Sequence, residues 1–406
     1  MHLGRFFSLA CVLAGCAAAE GAPEIGDRSA DERVLAAESS SSSTRGGPVR
    51  AALQQGLDKL HADGVVGTVA RVLDGRDKID ARSGTARVDG SAPIPFDAQF
   101  RMGSNTKTFV AIVVLQLVDE GKLRLDDTVD RWLPGLVSGN GNDGTKITIR
   151  QLLQHTSGIH NYTQDLFEDF TEADYYASRF QHIEPEELVA IAMAHAPNFA
   201  PGTSWSYSNT NYILAGMIIE KATGRTWPTE VRARIVVPLQ LFHTFEPGDW
   251  PGLPAPHAEG YSVLGLDTPL VNVTLYNHTW GGAAGSLITT TDDLTRFWRA
   301  LQRGQLLSPA SMAAMHDTVE ATEIQPVIPG ARYGLGIIWT PTACGSYWSH
   351  DGDTFGFSTR DGVDDDGTRV VVMSRNTTVD AADEEKALKW IGDDLAMIES
   401  VMCAGR

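Results

Sequence analysis

A chain of 406 residues is long enough to bury a large core and points to two or three structural units. Its 42% hydrophobic and 21% charged residues are ordinary for a globular protein. A net charge of −18 excludes nucleic acid as a partner, because phosphate binding relies on an excess of Lys and Arg.

The first residues read as a targeting segment. Arg5 supplies a positive end, and residues 6–14 form an apolar run too short to span a bilayer. Leu13-Ala14-Gly15-Cys16 resembles a bacterial lipobox. Residues 1–16 are therefore expected to be a signal peptide with lipidation at Cys16, an ordinary cut near residues 17–19 being the alternative. The mature protein is expected at the bacterial cell envelope or secreted, touching the membrane only through that lipid. Residues 17–47 contain an unbroken serine run at 39–43 and few large apolar side chains, which predicts a flexible tether.

The body opens with a helix over 48–61, its Leu53, Leu57 and Leu60 on one stripe. Residues 65–73 and 79–88 read as strands around the turn Asp74-Gly75-Arg76-Asp77. A helix over about 104–120 follows, apolar nearly all round at 109–118 and closed by Gly121; that pattern belongs to a helix buried at the centre of a domain. Residues 122–285 read mainly as helices and loops, with short helices at 149–155 and 185–195 and a longer one at 211–222, capped by Asn209 and ended by Gly224. One more helix spans 292–303. From 333 the periodicity changes to strands, at 333–339, 347–350, 354–361 and 369–376, with a hairpin turn at Asp364-Asp365-Asp366-Gly367. A last helix over 381–402 carries Leu388, Ile391, Leu395 and Ile398. Strands at both ends around a helical middle predict an α+β fold. Its antiparallel sheet is flanked by terminal helices (48–100 and 286–406), and an all-helical domain is inserted at 101–285.

Cys344 and Cys403 are the only cysteines of the body. An oxidising compartment lets them pair, two free buried thiols being the alternative. They are too few and too far apart for a metal site.

Four motifs carry chemistry. Ser104 and Lys107 stand one helical turn apart at a helix start, where a neutral lysine can take the serine proton and free N–H groups favour developing negative charge. Tyr207-Ser208-Asn209 precedes a helix, so Tyr207 and Asn209 can face one cleft. Tyr207 is then a candidate general base and later acid, if nearby cations lower its pKa, and Asn209 can donate to a substrate carbonyl. His350-Asp351-Gly352 ends a strand. That edge can bind extended substrate, Asp353 can supply an oxyanion N–H, Gly352 permits close approach, and His350 can orient or acidify Tyr207. His155-Thr156-Ser157-Gly158 reads as a rigid corner that locks a loop. A zinc site on His155 and His160 finds no third ligand, so no metal is expected.

The set Ser104-x-x-Lys107, Tyr207-x-Asn209 and His350-x-Gly352 resembles the penicillin-recognising serine hydrolases, and within them the exported D-alanyl-D-alanine carboxypeptidases, class C β-lactamases and related esterases. The likeness covers roughly residues 48–402. It implies the β-lactamase/DD-peptidase fold and a serine hydrolase acting through an acyl-enzyme, without cofactor. Ser104 would be the nucleophile, Lys107 and Tyr207 would move protons, and His350 and Asn209 would position base and substrate. The expected substrate is a D-Ala-D-Ala peptide, a β-lactam or a small ester, and the expected state a monomer; a non-catalytic muropeptide- or β-lactam-binding module is the alternative from another class. One departure stands out. The family usually has threonine or serine where this chain has Asp351, and Asp353 follows. Two acids at an edge that holds a substrate carboxylate would repel it, unless Arg360 compensates. The departure raises the odds of an ester or another amide as substrate.

Overall fold

The computed structural model describes residues 46–168, 170–265, 268–379 and 383–406; the expected leader, Cys16 and nearly all of the expected tether lie outside them. Helix α1, Gly46–Ala62, leads into the hairpin β1, Gly67–Asp74, and β2, Asp77–Gly84. A single 3-10 turn, Gly103–Asn105, runs into α2, Thr106–Asp119. After a helical stretch come α3, Asn209–Thr223, and α4, Thr291–Gln302. Short strands follow: β3, Val319–Glu320; β4, Arg332–Tyr333; β5, Ile338–Thr342; β6, Gly345–Ser349; β7, Gly352–Thr354; β8, Phe357–Val363; and β9, Arg369–Arg375. Helix α5, Glu384–Cys403, ends the chain.

These nine strands form one antiparallel sheet in the order β2-β1-β9-β8-β6-β5-β4-β3, with β7 paired to β8 alone. The N-terminal hairpin docks on the last strand because β9 alternates. Val371 and Met373 face α1 and α5, where Leu53, Leu57, Leu60, Trp390 and Ile398 lie, while Val370 and Val372 face α4 and α2 through Phe297, Trp298 and Phe109. Both faces are covered, so β9 is buried along its whole length. Cys344 and Cys403 form a disulfide that ties the β5–β6 turn to the end of α5.

Local readings differ in several places. The region 101–285 is not all-helical, because it also carries the short strands Ser138–Gly139, Asn142–Asp143, Tyr261–Val263 and Leu270–Asn272. The span 354–361 is not one strand: β7 and β8 are separated by Phe355 and Gly356, and Gly356 has φ +74° where a Cβ would lie 2.7 Å from Gly260. The span 333–339 breaks at residues 334–337, because Gly336 packs against the Lys107 carbonyl and Ala111. In α5 the buried stripe is Trp390, Asp394, Met397, Ile398 and Val401, with Leu388, Ile391 and Leu395 only half-buried. A pattern of apolar residues misses Asp394, whose charge is met inside the fold by Arg360 and Arg375, each 3.3 Å away.

Candidate active site

Helix α2 is buried nearly all round; the 3-10 turn that leads into it carries Ser104, and its first turn carries Lys107, to the seam between sheet and helices. Lys107 is fully buried. Its Nζ lies 2.9 Å from Ser104 Oγ, 2.7 Å from Asn209 Oδ1 and 2.7 Å from the Ala284 carbonyl. Desolvation holds its pKa well below the ordinary 10.5. The contacts suit either protonation state. As a charged ammonium Lys107 donates to all three; as a neutral amine its two N–H bonds would serve the two carbonyl oxygens, which can only accept, and leave the lone pair for the Ser104 hydroxyl.

Asn209 does not cap α3. It is the first residue of that helix, Ser208 being the cap. Its backbone N–H donates to Asn161 Oδ1 at 3.0 Å and its Nδ2 to Thr163 Oγ1 at 3.2 Å, which aims Oδ1 at Lys107. Tyr207 stands opposite. Lys107 Nζ lies 4.9 Å from its ring centroid, and its phenol is hydrogen-bonded to Ser104. Burial raises the phenol above its ordinary 10.0, and Asp353 and Asp351 push the same way against the Ser104 bond. The resting phenol is therefore protonated, and the cation-lowered base expected of it is not present.

His155 holds the loop bearing Tyr207. It adopts φ +60°, its carbonyl accepts from Ser206 N at 3.0 Å, and its Nδ1 accepts from Ser208 N at 3.2 Å. Its ring packs 4.3 Å from the Tyr207 ring, centroid to centroid.

His350 lies behind this group. Its Nε2 bonds Tyr333 Oη at 2.8 Å and its Nδ1 the Asp351 carbonyl at 2.8 Å; its ring centroid is 6.4 Å from that of Tyr207. Burial and Lys107 lower its pKa to about 3, so it is neutral and cannot act as a cation on Tyr207. It fixes the course of the backbone into β7. There Gly352 and Gly103 let two backbones touch: a Cβ on Gly352 would lie 1.9 Å from the Met102 carbonyl, and one on Gly103, at φ +55°, 2.8 Å from Asp353 N. The first-turn N–H of Ser104 and the N–H of Asp353 thus come to the same small region, an arrangement able to hold an oxyanion.

Arg360 is buried beneath this edge. It pairs with Asp353 at 3.1 Å, Asp394 at 3.3 Å and, more loosely, Asp351 at 3.9 Å. With Arg375 the cluster holds three carboxylates against two guanidinium groups. Burial raises Asp351 from its ordinary 3.8 to about 6, with Asp353 and Asp394 adding to the rise against Arg360. Burial also acts to raise Asp353, but Arg360, Arg375 and the Ser358 hydroxyl outweigh it and hold that carboxyl below its ordinary value. Asp353 is the outermost member, its side chain 45% exposed.

Next to the edge is a cavity of about 430 Å³ walled by Phe167, Phe170, Tyr175, Tyr276, Trp280 and Phe355. Phe355 follows Asp353 by two residues and Trp280 precedes Ala284 by four, so the same backbone segments build both places. Motif reading missed the supports Asn161, Thr163, Tyr333 and Ala284. The run Gly281-Gly282-Ala283-Ala284-Gly285 was the available signal for Ala284, because small residues let a backbone carbonyl approach a buried amine.

The Beta-lactamase family profile matches residues 49–395. Among solved structures, a D-stereospecific amidohydrolase from Streptomyces sp. superposes with a TM-score of 0.79 at 42% identity, over 87% of this chain and 98% of that one. D-amino acid amidase from Ochrobactrum anthropi SV3, complexed with L-phenylalanine amide, matches with a TM-score of 0.75 at 25% identity, over 87% of this chain and 98% of that one. Penicillin-binding protein 4* of Bacillus subtilis (strain 168) is 27% identical over 320 residues, 75% of this chain and 67% of that protein. Protein flp of Staphylococcus aureus is 28% identical over 60% of this chain, and the match spans just under half of its own length, 46%.

Proposed function

The chain belongs to the Beta-lactamase family and is a serine hydrolase; from that premise we propose that it hydrolyses amides of D-amino acids bearing a free α-amino group, through an acyl-enzyme on Ser104. Ser104 Oγ attacks the amide carbonyl as its proton passes to the Lys107 lone pair. The N–H groups of Ser104 and Asp353 hold the developing oxyanion. Tyr207, a neutral phenol beside Ser104, gives its proton to the departing amine and recovers one from Lys107. Water then attacks the ester by the reverse relay, releasing the acid and restoring Ser104. Asn209 keeps the lysine in place, and His350 keeps the β7 edge in place.

The observation that carries the substrate class is the saturation of Arg360. A peptide ending in D-alanine presents a carboxylate, and here the buried arginine is already engaged by Asp351, Asp353 and Asp394. The net negative edge attracts an ammonium group and repels a carboxylate. The aromatic walls of the cavity, which Glu168, Asp174 and Arg179 also line, suit a largely apolar side chain. The two amidase neighbours support the same reading. Carboxypeptidase action on D-Ala-D-Ala peptides, β-lactam hydrolysis and ester hydrolysis are the competing uses of the same serine.

Initial rates with D-phenylalanine amide, its L-enantiomer, its N-acetyl derivative, a D-Ala-D-Ala peptide, p-nitrophenyl butyrate and a chromogenic cephalosporin test the reading. Free D-phenylalanine amide should be cleaved fastest among the amides. Faster cleavage of the D-Ala-D-Ala peptide would overturn the substrate class. A fluorophosphonate should label the protein but not Ser104→Ala; equal labelling of both would overturn the nucleophile. Export through the leader, lipidation at Cys16 and a monomeric state belong to the same proposal. Palmitate labelling of Cys16→Ser and light scattering of the mature protein check them.

A further inference from the structure

Outside the serine site, three side chains with metal-ligand chemistry converge from separate parts of the helical region. His160 lies on the loop before the short helix Thr163–Leu166, Asp165 is on that helix, and His195 follows the helix Pro185–Met193. His160 Nε2 is 2.8 Å from Asp165 Oδ2, and His195 Nε2 is 2.7 Å from Asp165 Oδ1. The two imidazoles stack with centroids 3.9 Å apart, 20° from parallel. One ligand atom from each residue lies within 4.8 Å of the other two.

We propose that His160, Asp165 and His195 bind one divalent transition-metal ion, zinc by the chemistry of the donors. Ligands of tetrahedral zinc, with bonds of about 2.0–2.1 Å, stand about 3.3 Å apart, so each His–Asp separation needs to open by about half an ångström and the carboxylate to turn one oxygen toward the ion between the two imidazoles. Two imidazole nitrogens and one carboxylate favour zinc over calcium or magnesium, which prefer all-oxygen sets. Side-chain exposures of 13% for His160, 31% for Asp165 and 41% for His195 leave room for water as the fourth ligand. The sequence reading tried His160 with His155, which the fold turns toward Tyr207 instead. Asp165 is five residues from His160 on the next short helix, and His195 comes in from beyond the end of the helix Pro185–Met193, a meeting that spacing alone does not reveal.

The place of the site gives it a consequence. The His160 carbonyl accepts from Thr210 Oγ1 at 2.7 Å and Ser208 Oγ at 3.2 Å, the residues on either side of Asn209. Asn161 and Thr163, between two of the ligands, hold Asn209 itself. A bound ion would pin the segment that aims Asn209 at Lys107. The three ligands are positioning residues for the serine site, not catalytic ones, and the proposal does not depend on the substrate class.

The test uses tag-free full-length protein, stripped with EDTA and titrated with zinc chloride by calorimetry, then with cobalt(II) chloride by visible absorption. One equivalent of zinc should bind, raise the thermal midpoint, and be replaceable by cobalt with a tetrahedral-type spectrum. His195→Ala and Asp165→Asn should each weaken zinc binding by about a hundredfold or more and abolish the zinc-dependent rise in the midpoint, circular dichroism confirming the fold. His195→Gln, closer in size, serves if the alanine variant is unfolded. Absence of zinc binding at equimolar concentration, or an unchanged affinity in the folded variants, would overturn the proposal.

Discussion

Replacing Asp351 by asparagine should stabilise the protein at neutral and alkaline pH. Three carboxylates share two guanidinium groups beneath the β7 edge, so the third acid is held in its ionised form at a cost. The Asp351 pKa of about 6, against the ordinary 3.8, measures that cost. Because the folded chain holds the proton more tightly, native stability falls as pH rises from about 4 to 6, and the full penalty of about 3 kcal/mol stands above pH 6. The same two values give about 1 kcal/mol at pH 4.5. Asparagine keeps the backbone carbonyl that accepts from His350 Nδ1, and Arg360 keeps its two nearer partners. Urea unfolding of parent and variant, disulfide intact, should show the variant more stable by about 3 kcal/mol at pH 8 and by about a third of that at pH 4.5. An equal or less stable variant at pH 8, or a gain independent of pH, would refute the account of an over-acidic cluster.

Three further outcomes are expected. The acid limb of kcat/KM should report Lys107 and fall well below pH 10.5, and His350→Gln should leave its position unchanged because His350 is already neutral; pH–rate profiles of both proteins check this. Tyr207→Phe should slow acylation by an amide by about 10²–10⁴ but acylation by an activated p-nitrophenyl ester much less, because only the amine needs a proton to depart; single-turnover acylation rates on the pair decide it. Replacing Cys344 and Cys403 by serine opens a loop spanning 59 positions and should cost about 4 kcal/mol by chain entropy, read from denaturant midpoints under oxidising conditions.

Helix α2, the terminal helices, the covered sheet and the run of four motifs were legible because each is a local pattern. Period 3.6 or 2 records which face meets a core, and Ser104 and Lys107 share a helix face at any stage of folding. The protonation states were not legible. Burial lowers the Lys107 pKa and raises that of Tyr207, each toward its neutral form, and burial is a property no motif encodes. Asp351 and Asp353 were visible as a departure, but Arg360 became their partner only when β7 folded onto β8. Asp394 joined them only because α5 packs across β8 and β9. His160, Asp165 and His195 likewise meet through helix packing. Neighbours along the chain determine periodicity and capping, whereas charge balance and ligand geometry depend on residues far apart in sequence that only chain crossing brings together.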